Sequence, residues 1–131
     1  MDTFYEEDIL GEGFQRTTLS LRDDYEGSAV ATLVRRLSDT GNGRSVLYIH
    51  GFNDYFFQRE MAWRLNERGF HFYALDLRKY GRSWLSHQKF NDIRDIRAYF
   101  EEITLALPGG GKPDNRFVRT FHGRVDCHAL R

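Results

Sequence analysis

The feature that most constrains this chain is a short apolar run, Val46 to Ile49, that ends abruptly in His50-Gly51-Phe52. V-L-Y-I is uncharged and β-prone, the mark of a strand covered on both faces and so of a sheet with helices packed on it. A glycine after such a strand allows a tight exit, which lets the next backbone N–H, that of Phe52, point at a substrate oxygen. A donor aimed at developing negative charge is worth about 3 kcal/mol to a transition state. An H-G pair alone fits a plain turn equally well, so the weight falls on what surrounds it.

Upstream, Q-R-T-T-L-S-L-R (15–22) and A-V-A-T-L-V-R-R (29–36) are β-prone with rough alternation, and D-D-Y-E-G-S between them supplies turn chemistry. The pair reads as an antiparallel hairpin. Downstream the period changes. Phe57, Met61, Ala62 and Leu65 fall at helical spacing over 57–68, with Gly69 where a C-terminal cap belongs. Phe70 to Leu75 returns to strand. From Asp92 the stripe Ile93, Ile96, Phe100, Ile103 and Leu107 predicts a second helix, capped by Asn91 or Asp92. A hairpin followed by β-α-β-α predicts the α/β class.

Bulk properties bound the possibilities. At 131 residues the chain is the size of one small domain. Its formal net charge of zero gives no global field favouring nucleic acid. No apolar run approaches the length of a membrane span. The acidic start, M-D-T-F-Y-E-E-D, is unlike a signal peptide, and the single cysteine, Cys127, fits a reducing compartment; a cytoplasmic location is expected. The average conceals a break. Residues 1–107 hold 14 Lys and Arg against 17 Asp and Glu, whereas 108–131 hold 5 against 2, together with both prolines and the cysteine.

The second motif is A-L-D-L-R-K-Y-G-R-S, Ala74 to Ser83. Asp76 and Arg78 are placed to pair with each other or with neighbouring loops, and Gly81 permits a bend. Asp76 is read as structural, because acid–base chemistry needs a partner within hydrogen-bond reach and the motif offers none. Taken together, strand, His50-Gly51, helix, strand and D-x-R-x-x-G-x-S resemble the α/β-hydrolase superfamily. The match is nearest to its serine aminopeptidases, monoacylglycerol lipases and lysophospholipases. In that group the second motif usually reads D-x-R-G-x-G-x-S; Lys79 stands here in place of the first glycine. D-x-x-D-I-x-x-Y-F-E-E, Asp92 to Glu102, resembles the helix before the family's nucleophile strand.

The resemblance covers residues 10–107 as a partial domain. It implies that the Phe52 amide is half of an oxyanion hole, with His50 and Gly51 shaping it and Asp76, Arg78, Gly81 and Ser83 forming a structural motif. It implies ester or lipid substrates for an intact member, with neither cofactor nor metal. It further implies that Val46–Ile49 lies between the Phe70–Leu75 strand and a nucleophile strand ending in G-x-S-x-G. Residues 108–131 contain no serine. They do contain His122, Asp126, Cys127 and His128, but zinc wants a fuller ligand set and thiol catalysis needs an oriented base.

Codon arithmetic offers a different account of the tail. Beginning one base later, codons permitted by Arg119 to His128 read G-H-S-T-G-G-L-I-A, nine matches in succession. The serine codon starts at the second base of the Phe121 codon. Asp114 to Val118 likewise permits I-T-V-L-S, an apolar strand leading into that elbow. The tail therefore reads as a nucleophile strand translated in the wrong frame, and 108–131 is expected to be disordered or frame-shifted. The sheet is expected to be truncated before the nucleophile strand, with Val46–Ile49 left as a raw edge and the chain itself inactive. The rival class is a small non-catalytic binding module, using Tyr55-Phe56-Phe57 and Trp84-Leu85 as a contact surface.

Overall fold

A computed structural model describes residues 4–41, 44–50 and 59–106, and the backbone of 117–122 and 125–126. Alternation in the first third produces the expected hairpin. β2 (Gln15–Ser20) and β3 (Val30–Arg36) pair antiparallel in unbroken register from Gln15↔Arg35 to Ser20↔Val30. A two-residue strand that the sequence did not announce, β1 (Glu6–Glu7), pairs antiparallel with β2. β4 (Ser45–Ile49) is buried at all five positions, as its uninterrupted apolar run requires. Helix α1 (Arg59–Glu67) connects it to β5 (His71–Asp76), which lies parallel to β4 and antiparallel to β3.

Helix α1 stops where glycine makes stopping cheap. Gly69 adopts φ +87°, its N–H donates to Asn66 O at 2.9 Å, and the Phe70 N–H donates to Leu65 O at 3.0 Å. These two bonds satisfy carbonyls that a helix end leaves without partners. The buried Asn66 side chain then ties the helix end to β3, donating to Arg36 O and Phe70 O while its Oδ1 accepts from Arg36 Nη1.

The sheet separates two cores. Phe14, Val34, Tyr48, Ala62, Phe72 and Ala74 pack on the α1 side. Ala31, Leu33, Leu47, Ile49, Leu75 and Leu77 pack on the other, against helix α2 (Tyr99–Ala106). The period of two along β4 and β5 sends neighbouring residues to opposite cores. The fold is therefore α/β, a mixed sheet with a helix on each face.

Two details of α2 differ from expectation. Its cap is neither Asn91 nor Asp92: Asn91 is left-handed (φ +60°), its N–H donating to Lys79 O, and the Asp95 side chain instead accepts from Arg97 N–H at the start of a 3-10 turn, Ile96–Ala98. Nor do Ile96 and Phe100 face the sheet; they are 74% and 56% exposed. Ile103 faces it as expected, joined by Tyr99, Glu102 and Ala106. The rotation is set by a carboxylate, because Glu102 must reach a buried arginine.

The sheet does not stop at β4. The backbone of β6 (Phe117–His122) lies parallel to β4 on the side away from β5, and β7 (Val125–Asp126) pairs antiparallel with β6, giving the order β1-β2-β3-β5-β4-β6-β7. The expected raw edge at Val46–Ile49 is thus covered. F-V-R-T-F-H is rich in β-branched and aromatic residues, a composition suited to a strand, and its backbone takes up the N–H and C=O groups β4 would otherwise leave open. The pairing is imperfect: Ser45 faces Phe117 and Val46 faces Arg119, so Val118 is bulged.

Candidate functional site

In open α/β sheets ligands bind beyond the carboxyl ends of the parallel strands, and both sequence motifs meet there. His50, at the end of β4, is fully buried. Its Nε2 accepts the Leu77 N–H at 3.1 Å, and its ring lies 4.6 Å from that of Tyr80. An Nε2 that accepts leaves the ring hydrogen of a neutral imidazole on Nδ1. The histidine thus bolts the exit of β4 to the exit of β5. Gly51 and Phe52 lie outside the described residues, as do Tyr55, Phe56 and Phe57.

The loop leaving β5 is organised by three cations within five residues, each paired with carboxylates from elsewhere in the fold. Of the two pairings expected for Asp76 and Arg78, with each other or with neighbouring segments, the structure shows the second, in two separate networks. Asp76 Oδ2 accepts from Arg82 Nη1 at 2.9 Å and from the Arg82 N–H at 3.2 Å. The same guanidinium forks onto Asp8, Nε to Oδ1 at 2.8 Å and Nη2 to Oδ2 at 2.9 Å. Both aspartate side chains are wholly buried. Burial pushes the Asp8 carboxyl up, but the Arg82 hydrogen bonds and the Leu10 N–H prevail and hold it below its ordinary value.

Arg78 turns to α2 instead. Its Nε donates to Glu102 Oε1 at 2.9 Å and its backbone N–H to Glu102 Oε2 at 2.6 Å; Nη2 reaches Glu101 Oε1 and Ala98 O. Burial raises the Glu102 carboxyl above its usual range in spite of these bonds. An arginine suits this place because its planar fork serves several oxygens and it is weakly hydrated. Lys79 is the third cation, with its ammonium against Asp24 and Glu26 of the β2–β3 turn.

Gly81 has φ +41° in a 3-10 turn, Gly81–Ser83, where a side chain would be strained. Ser83 is fully buried, its Oγ donating to Asp76 O at 2.6 Å and lying 3.2 Å from Thr32 Oγ1. A hydroxyl so committed between β5 and β3 ties strands together; a nucleophile has to meet substrate. Trp84 is half-buried, donates Nε1–H to Gln88 O, and stacks on Phe90 at 4.6 Å.

Asp8, Thr32 and Glu102 belong to this constellation and escaped the sequence reading. Glu102 alone left a signal: a charge embedded among Tyr99, Ile103 and Ala106 at helical spacing invites a search for a buried cation. Among the described residues no group of three or more His, Cys, Asp or Glu is arranged to hold a metal ion. Only the backbone of His122 and Asp126 is described, and Cys127 and His128 fall outside the described residues. Nor, among those residues, is any helix long and apolar enough to cross a membrane.

No family model matches the sequence, and no curated protein does. Solved structures that bear a partial likeness include two esterases. One is a cold-adapted esterase from an Arctic intertidal metagenomic library, with 22% identity over 63% of this chain and 35% of that one, at a TM-score of 0.36. The other is acetyl xylan esterase 1 from Thermoanaerobacterium sp., with 13% identity over 82% of this chain and 42% of that one, at 0.45. The chain spans less than half the length of either. Likenesses this remote assign neither site nor substrate, which rest on the residues above.

Proposed function

We propose that these residues correspond to the front part of a serine hydrolase of the α/β-hydrolase superfamily, acting on carboxylic esters or related acyl bonds. Within that superfamily the lysophospholipase and monoacylglycerol-lipase group is the best match by motif. The observation that carries the reading is the hydrogen bond between His50 Nε2 and Leu77 N–H. It fixes the end of β4 beside the D-L-R-K-Y-G-R-S loop, at the ends of two parallel strands, which supports reading this region as the family's oxyanion region. In the intact enzyme a serine would attack the acyl carbon and a histidine would take its proton. The Phe52 amide would hold the oxyanion until the leaving group departs with that proton.

The 131-residue chain is itself inactive in this reading. The slot beside β4, where the nucleophile strand belongs, is filled by β6, and residues 108–131 hold no serine. The domain is 10–107, and 108–131 is the nucleophile strand and elbow read out of frame. The nucleotide sequence over codons 107–122 tests this: one base gained or lost there, with G-H-S-T-G-G in the other frame, is expected. Codons over 119–128 incompatible with G-H-S-T-G-G-L-I-A would remove the proposal.

The rival reading, a small binding module, has the pairing of β6 in its favour, since a selected gene product would close its own sheet. A purified chain that is monomeric by light scattering and unfolds cooperatively supports the module. Aggregation supports the fragment.

A further inference from the structure

Lys79 combines three properties that are individually costly. Its backbone is left-handed, φ +66°, a region that favours glycine. Its side chain is fully buried. And a long, entropy-rich cationic chain is fixed in one place. What offsets these costs is a grip formed by one turn. Lys79 Nζ lies 2.6 Å from Asp24 Oδ2 and 2.6 Å from Glu26 Oε1, and 4.4 Å above the ring of Tyr25, the residue between them. The turn is itself closed by Asp24 N–H to Gly27 O and Gly27 N–H to Asp24 O, and by Glu26 N–H to Asp24 Oδ1.

We propose that Asp24-Tyr25-Glu26 and Lys79 form a charge-held latch that fastens the β2–β3 turn, as a releasable flap, over the loop leaving β5. Gly27, at φ +105°, marks the hinge. Beyond it the chain is held independently, by His87 Nε2 and Gln88 Nε2 on Ser28 O, so release is confined to the tip. The groups facing the latch are few. From the turn come Asp24, Tyr25 and Glu26, and from the loop leaving β5 comes Arg78, whose charge favours ionised Asp24. From the 85–95 segment come the Lys89 N–H on Glu26 Oε2, Asp92 against the Tyr25 hydroxyl, and Arg94 stacked 3.8 Å over the Tyr25 ring.

The sign of the pH dependence follows. Burial opposes ionisation of Asp24, yet its bond to Lys79 holds it below its usual value; the second Lys79 contact outweighs burial at Glu26 and lowers it too. Carboxyls depressed in the folded chain stabilise it above their unfolded values, about 4, and lose that contribution as the pH falls through the folded ones. For Lys79 burial pulls down and the carboxylates pull up, with a net rise, so its contribution stays complete through neutral pH and disappears only in strong alkali.

Amide hydrogen exchange followed on the 22–29 peptide, with thermal unfolding alongside, tests the latch on the whole chain. Lys79→Met keeps the backbone strain and strands two carboxylates; exchange in 24–27 is expected to rise about tenfold or more, with a lower Tm. Lys79→Gly removes the strain together with the charge; the turn should open equally while Tm stays above that of Lys79→Met. In the unsubstituted chain, protection of 24–27 should be level from pH 5 to 9, and should fall below pH 4 before that of β5. Unchanged turn exchange in both variants, or loss of turn and β5 protection together at every pH, would overturn the proposal. Should Lys79→Met fail to fold, the pH series and Lys79→Gly decide.

Discussion

The two flanks of β4 show how differently one strand can be held. Towards β5 the register is continuous from Ser45↔His71 to Ile49↔Leu75, and the ladder is reinforced from outside by His50 on Leu77, Asn66 on β3, and the cations of the β5 loop on the N-terminal segment, the β2–β3 turn and α2. Towards β6 the register skips Val118, and among the described residues only the short β7 backs that strand. One flank is a ladder locked by buried polar groups from several elements. On the other, the described residues show the backbone ladder. Backbone pairing by itself accepts almost any extended segment, whereas the locked side demands particular residues at particular positions.

The largest effect expected from breaking the locked side is at Arg82. Arg82→Met would leave Asp8 and Asp76 buried without their cation, and stranded buried charge costs about 3–5 kcal/mol. Against the 5–15 kcal/mol typical of a small domain, that removes a large fraction of the stability, as a lowered urea midpoint by circular dichroism would reveal. Arg78→Met strands Glu102 in the same way. It should rank just below, because Glu101, the partner it also loses, is partly exposed. Glu102→Gln should be milder than Arg78→Met, since burial already disfavours the Glu102 charge. The reverse order would show that the pair is held chiefly through the carboxylate.

On the other flank, Thr120→Pro removes a ladder N–H from β6. It should release β6 and raise exchange at the β4 amides facing it, while β5 keeps its protection. Simultaneous loss at β5 would mean the flanks are one cooperative unit. A weaker effect follows from acid. The Asp8 carboxyl is depressed by Arg82, so the contribution of this network is complete above the unfolded aspartate value, about 3.9, and is lost as the pH falls through the lower folded one. The urea midpoint should be level near neutrality and drop below pH 4, and a midpoint rising in acid would contradict the network. The smallest effect belongs to the surface. Arg97 holds Asp95 at about 2, yet both side chains are exposed, and Arg97→Met should leave the urea midpoint essentially unchanged.

What the sequence disclosed follows the same division. The hairpin, β4, α1 with its Gly69 terminus and β5 were legible because apolar period and turn chemistry are local. The rotation of α2 was not, because Ile96 and Phe100 mimic a buried stripe while Glu102, the residue that orients the helix, looks like a surface charge until its partner Arg78 is known. That Asp76 would pair was legible, but its partner was not: Arg78 is nearer in sequence, yet Arg82 returns to it around the Gly81 bend and joins it to Asp8. The Lys79 departure from the family's glycine was visible, though its answer, the D-Y-E of the β2–β3 turn, was not, since nothing in the sequence brings residues 24 and 79 together.

The central claim, that the segment beside β4 belongs to a serine hydrolase read in another frame, is tested most directly by fluorophosphonate labelling of two products of the same gene. One is the 131-residue chain; the other carries a single-base correction ahead of codon 114. The account predicts no label on the first and stoichiometric label on the second, at the serine whose codon straddles those of Phe121 and His122. Labelling of the 131-residue chain at Ser83 or Ser86, or a corrected product that takes no label while folding cooperatively, would contradict it.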